Sequence, residues 1–154
     1  MQIDRFIKPA FTVIGREGST EEGPGFVQRL WQEANARYGE IAHLTLKDAD
    51  GRPAGLWGAM TDPTRAFLPW ADDFTRGLYL AGAECPPDAQ PPEGWARWTI
   101  PGFEYLRVLC DSDTVFRDTL ACMAREGLPL VGAVHDYTCP TTGASYMCFP
   151  IRAL

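Results

Sequence analysis

Apolar positions along the chain follow two rhythms, a period of two and a period near 3.6, and the order of these rhythms repeats. The segment FTVIGREG (11–18) alternates as a strand. In GFVQRLWQEANARYG (25–39), Phe26, Val27, Leu30, Trp31 and Ala34 form the stripe of one helix face. Pro24 suits a first turn and Gly39 a C-terminal stop. GLWGAMTDP (55–63) and GLYLAGAEC (77–85) then read as strands. The same succession returns as strand GFEYLRVLC (102–110), helix TVFRDTLACMAREG (114–127), and strands GAVHDYTCP (132–140) and ASYMCFPI (144–151). Val115, Phe116, Leu120, Met123 and Ala124 form the second helix stripe, with Ser112 or Asp113 as cap and Gly127 as end. PTTG (140–143) supplies turn chemistry for a final hairpin. Aligning the units sets Phe26, Leu30 and Ala34 against Phe116, Leu120 and Ala124, Pro63 against Pro140, and Tyr79 against Tyr146.

A strand–helix–strand–strand unit that occurs twice predicts an α+β fold. Two amphipathic helices bury their stripes most simply on one face of a shared antiparallel sheet, with a groove at the pseudo-two-fold seam. The halves cover about 1–85 and 95–154, joined by a proline-rich crossover at 85–94. A half of roughly 70 residues buries too little surface to stand alone, so 1–154 is read as one domain.

Charge narrows the choice of partner. Fourteen basic against twenty acidic residues give a net charge of −6, and Lys8 and Lys47 are the only lysines. Phosphate backbones need clustered cations, so nucleic acid is not an expected partner. No run of about 20 apolar residues is present to cross a bilayer. MQIDRFIKPAF lacks a secretory layout, and a cytoplasmic location with reduced thiols is expected. Cys85, Cys110, Cys122, Cys139 and Cys148 show no CxxC, and His43 and His135 lie far apart, so neither a metal nor a cofactor is expected. Cys139 and Cys148 flank the last turn and are placed to meet across the hairpin.

The stretches FTVIGREG, RLW in the first helix, YLAGAEC before the proline loop, W-x-IPGFEY and HDYTCPTTGASYMCFPI resemble the GyrI-like effector-binding domain. The resemblance runs from about Phe11 to Ile151. It implies a duplicated strand–helix–strand–strand fold whose seam groove holds flat, often cationic aromatic molecules between aromatic side chains and a buried glutamate. It implies multidrug or effector sensing or sequestration by a stand-alone domain with no preceding helix-turn-helix. Two alternatives come with it: a hydrolase that opens cyclopropane-bearing or other electrophilic xenobiotics by activating water, and a gyrase-inhibitor-like module that binds a protein. A protein partner or a homodimer is therefore also among the expectations. In the family a glutamate stands two residues before a tyrosine on the third strand of the last half; here His135 takes that place before Tyr137, and Asp136 follows it.

The candidate residues follow from these readings. Alternation puts His135, Tyr137 and Cys139 on one strand face and Val134, Asp136 and Thr138 on the other. His135 is a candidate general base and Tyr137 a phenol donor, which makes them the pair expected to be catalytic if the chain is an enzyme. Glu84, at a strand end, and Glu104, in PGFEYL, are candidate groove carboxylates. Trp57, Phe67, Trp70, Tyr79, Trp98, Tyr105 and Phe149 are candidate ring walls for a planar guest. Phe67 and Trp70 sit in the long loop AFLPWADD, read as a lid over the groove, whereas Trp31 reads as core.

Overall fold

A computed structural model describes residues 1–154. The strands are β1 (Ile3–Lys8), β2 (Phe11–Ser19), β3 (Leu56–Thr61), β4 (Leu78–Cys85), β5 (Ala96–Ile100), β6 (Phe103–Leu109), β7 (His135–Thr138) and β8 (Ser145–Ala153). The α-helical segments are α1 (Phe26–Ala36), the single turn α2 (Ala71–Phe74) and α3 (Val115–Arg125). The strands form one antiparallel sheet in the order β1-β6-β8-β7-β3-β4-β2-β5. The predicted α+β architecture is present: β2-α1-β3-β4 and β6-α3-β7-β8 are the two units, and they join where β3 pairs with β7.

Two strands go beyond the prediction, and they shape the sheet. The first strand begins at Ile3, ahead of the expected start near residue 10. β1 precedes the first unit but pairs with β6 of the second, while β5 precedes the second unit but pairs with β2 of the first. β1 and β5 are thus opposite edges of the sheet, yet Pro9 and Ala10 alone link β1 to β2, and Pro101 and Gly102 alone link β5 to β6. Such short links require the sheet to roll until its edges approach. Gly102 shows the closeness, since a Cβ there would lie 3.1 Å from Ala10 N and 3.3 Å from Pro9 Cα.

Rolling gives the sheet an inner and an outer face. On the inner face one apolar cluster spans both units, with Phe11, Val13, Trp57, Leu80, Trp98 and Tyr105 among its members. The outer face carries the helices over two separate clusters, one under α1 with Ile14, Leu30 and Tyr79, the other under α3 with Leu106, Met123 and Phe149. In α1 the buried row is Phe26, Leu30 and Ala34; in α3 it is Val115, Thr119 and Met123. The equivalent rows therefore start at Phe26 and Val115. Phe116 and Leu120 correspond to Val27 and Trp31, a half-buried second row. The phenylalanines at 26 and 116 thus occupy different rows, one in the core and one on a flank.

The final hairpin turns at 140–143 as expected, with Cys139 N–H donating to Ala144 O at 2.9 Å. Its register sets Cys148 opposite His135, so Cys139 and Cys148 do not face each other, and all five cysteines are free thiols. The crossover at 85–94 runs from the end of β4 to the residues before β5.

The tightest backbone approach is at the register pair Gly15–Gly82, on the inner face between β2 and β4. A Cβ on Gly82 would stand inside contact distance of Ile14 O, and one on Gly15 inside that of Ala81 O. Backbone atoms cannot yield as a side-chain tip can. Gly82→Ala is expected to cost about 3 kcal/mol or more of folding stability, measured by urea denaturation.

Candidate functional site

The helices do not cover the whole outer face. Between them, along the β3–β7 seam, lie two adjacent cavities. The larger, about 450 Å³, is bordered by Val27 and Trp31 of α1, Cys110, and Tyr79, Asp136 and Thr138 of the sheet. The smaller, about 190 Å³, is almost wholly apolar, with Met60, Pro69, Trp70, Phe74, Phe116 and Val134 as its walls. Alternation explains the floor. Asp136 faces outward with Val134 before it, so the two cavities are neighbours along one chain segment.

A hydrogen-bonded relay crosses the floor. Trp31 Nε1–H donates to Tyr79 Oη at 3.0 Å, and Tyr79 O–H donates to Asp136 Oδ2 at 2.9 Å. The relay is possible because residue 58, paired with Asp136 across the seam, is glycine: the Tyr79 hydroxyl occupies the space a Cβ would need. Every donor in the relay points toward the carboxylate, and no cation is paired with it. Burial pushes the Asp136 carboxyl up to about 6 from 3.8, although the Tyr79 hydrogen bond pulls the other way. Burial and the neighbouring Asp136 charge raise the Tyr79 phenol well above its usual range.

The turn at Trp70–Phe74 closes one end of this cleft. Trp70 Nε1–H donates to Leu78 O at 3.0 Å, its ring lies 6.3 Å from that of Phe26, and Phe74 stands edge-on to Phe116 at 5.2 Å. Asp72, Asp73 and Phe74 all hold left-handed φ values of 53–63°, a conformation that costs a non-glycine residue about 1–2 kcal/mol. Phe67 turns through to the inner face, 6.0 Å from the Trp98 ring. The loop residues read together as a lid thus part company, and only Trp70 borders the cleft.

The other candidates spread over both faces. Trp57, Glu84 and Tyr137 come together at the mouth of the inner face with Phe6, Lys8 and Arg107, around a pocket of about 280 Å³. Tyr137 also contributes to the wall of the outer cleft. His135 and Tyr105 are enclosed deeper inside. His135 is 1% exposed, its Nδ1 accepts the Met60 N–H at 3.0 Å, and burial pushes its pKa down to about 3, so the ring is neutral. It faces the closed interior and borders none of these cavities, which leaves Asp136 as the carboxylate of β7 that meets the cleft. Trp98 donates to Glu17 Oε1 at 2.6 Å at the opposite end of the inner face. Phe149 is core under α3, stacked on Phe116 at 5.8 Å. Glu104, expected in the groove or at its rim, is held instead on the outer surface by Arg152 at 3.0 Å.

Asp136, Phe74 and Phe116 were not among the predicted site residues, and Trp31 was read as core. Alternation sets Asp136 on the strand face opposite His135, and in the structure that face carries the helices. An acid there must stand in a gap between helices, and that inference would have found it.

A raised carboxylate pKa means that the folded state holds the proton more tightly than the unfolded chain. The burial penalty is therefore absent below about pH 4, grows as pH rises, and is complete above about 6. Asp136→Asn is expected to stabilise the ligand-free protein at pH 7.5 by roughly 2 kcal/mol. The gain should vanish near pH 4, as followed by urea denaturation across a pH series.

No family model and no curated protein matches the chain. Among solved structures it is similar over 99% of its length to SAV2435 bound to tetraphenylphosphonium, with a TM-score of 0.65, 15% identity and 94% of that chain covered. It is similar to EcmrR, from a cryo-EM structure of an EcmrR–DNA complex, at a TM-score of 0.66 and 9% identity, spanning 58% of that chain. A hydrolase from Listeria innocua matches over 97% of the chain and 91% of its own, at a TM-score of 0.56 and 13% identity. No helix is long and apolar enough to cross a membrane. Duplicated units, an antiparallel sheet with its helices on one face, and a cleft at their seam together give this chain the GyrI-like fold.

Proposed function

We propose that the chain binds aromatic cations in the interhelical cleft, with Asp136 as the counter-charge. The observation that carries this reading is an acid that no protein cation neutralises, on the floor of a cavity walled by rings. A carboxylate in such a place costs stability unless a positive guest arrives. Trp31, Tyr137 and Tyr146 are the half-buried rings of the cleft wall, and a cation over a ring gains about 0.5–2 kcal/mol. Tetraphenylphosphonium on SAV2435 is a ligand of that kind. Sensing or sequestration of such compounds is the biological role that follows.

One observation favours a second reading. A carboxyl with a pKa near 6 is suited to proton transfer at neutral pH, and the fold is shared with a hydrolase. In that reading Asp136 activates water against a strained or electrophilic aromatic substrate while the Tyr79 phenol steadies it. Incubation with a cyclopropane-bearing alkylator should then yield a water adduct by mass spectrometry, lost in Asp136→Asn. No adduct from the wild-type chain leaves binding as the activity.

For binding, titration calorimetry with tetraphenylphosphonium should show affinity rising as pH passes upward through about 6, where Asp136 ionises. At pH 7.5 Asp136→Asn should weaken binding about tenfold or more, matching the loss of a charge-assisted contact. Binding that is absent, or indifferent to both pH and Asp136→Asn, would overturn the proposal.

A further inference from the structure

On the opposite face of the same sheet, the pocket at the mouth of the roll is built for the opposite charge. Its volume is about 280 Å³, and Phe6, Trp57 and Tyr137 supply its rings. Lys8 comes from β1, which pairs with the second unit, yet its ammonium reaches Glu84 of the first unit at 3.1 and 3.2 Å. It also stands over the Phe11 ring at 4.6 Å and 5.7 Å from the centroid of the Trp57 ring. An acid beneath a cation, with aromatic faces around it, is the arrangement a bound organic cation would make. Here the protein supplies the cation itself, so a positive guest would have to displace Lys8.

What the pocket leaves unused is a donor. Trp57 is 3% exposed, and its Nε1–H is buried with no hydrogen-bond partner. Residue 55 is glycine, and a Cβ there would stand 2.8 Å from that nitrogen and 3.1 Å from the Tyr137 ring. Any side chain at residue 55 would therefore press on the orphaned N–H. Two cations border the pocket, Lys8 paired with Glu84 and Arg107 held in place by Asp4 at 2.8 Å. A buried, unpaired donor beside the Lys8 ammonium calls for an anionic acceptor.

We propose that this pocket is a second ligand site, independent of the cleft, that takes a small planar aromatic carboxylate. The ring lies among Phe6, Trp57 and Tyr137, and the carboxylate accepts from Lys8 Nζ and Trp57 Nε1. Glu84 sets the strength of the site by partly neutralising Lys8.

Naphthoate is a probe of fitting size, followed by titration calorimetry and by the indole N–H resonances in nitrogen-edited NMR, with the Trp57 signal assigned through Trp57→Phe. The wild-type chain should bind one naphthoate with a shift of the Trp57 resonance. Lys8→Met should weaken it about tenfold. Glu84→Gln, which preserves shape, should tighten it several-fold because Lys8 is then uncompensated. Asp136→Asn should leave it unchanged, which separates this site from the cleft whether or not the cleft binds cations. In Lys8→Met the preference should reverse toward naphthylmethylammonium. The inference fails if naphthoate does not saturate, if Glu84→Gln weakens it, or if Asp136→Asn weakens it as much as Lys8→Met does.

Discussion

Only three residue pairs join the two halves of the sheet at their seam, Leu56–Thr138, Trp57–Tyr137 and Gly58–Asp136. Everything that distinguishes the two faces is decided there. The middle pair turns two rings, 4.8 Å apart, toward the inside of the roll. The next pair turns an acid outward beside a glycine. One residue of register along a pleated strand is the whole distance between an aromatic wall and a half-buried charge. Without the glycine the Tyr79 hydroxyl would have no route to Asp136, and the carboxylate would lack its one hydrogen-bond donor from the sheet.

So short a seam needs support from elsewhere, and the exchanged edge strands provide it. β1 and β5 each leave one unit to pair with the other, with six and five register pairs. Separating the halves would break both edges as well as the centre. The roll that results also brings Lys8 across to Glu84, a contact between strands that are far apart in sheet order. The inner pocket is thus a consequence of closing the sheet. The outer cleft is a consequence of leaving a gap between two helices that each bury one row and present a second.

Much of this was legible in the residues. Period-two and period-3.6 stretches located six strands and two helices, and their repetition gave the architecture. β1 and β5 escaped because their rhythm is weak: Ile3 and Ile7 remain exposed on an edge, and ARWTI is short and follows a proline-rich stretch. The site was harder for a different reason. Alternation divides a strand into two faces but does not say which face is closed, so Trp57, Tyr79, His135 and Tyr137 were read as walls of one groove. Asp136 lies on the face that the helices pack on, at the gap they leave, and a gap has no signature in the alternation of one strand. Phe26 and Phe116 looked equivalent because both are large and apolar, although one fills the core under α1 and the other lines the cleft. Side-chain size marks burial. It does not mark which boundary of a helix the residue occupies.

The two acids nearest the seam show why net charge alone said little about partners. Glu84 is satisfied by Lys8 within the chain, whereas Asp136 receives a phenol and an approach from solvent but no cation. An acid of the first kind belongs to the protein's own structure. An acid of the second kind is costly in the empty protein, and that cost is relieved by whatever neutralises it, a proton below its pKa or a positive guest above it. Binding and protonation then compete for one carboxylate. Selectivity for charge is therefore written in the burial of Asp136, while selectivity for shape is left to Trp31, Tyr146 and the Trp70–Phe74 turn around it.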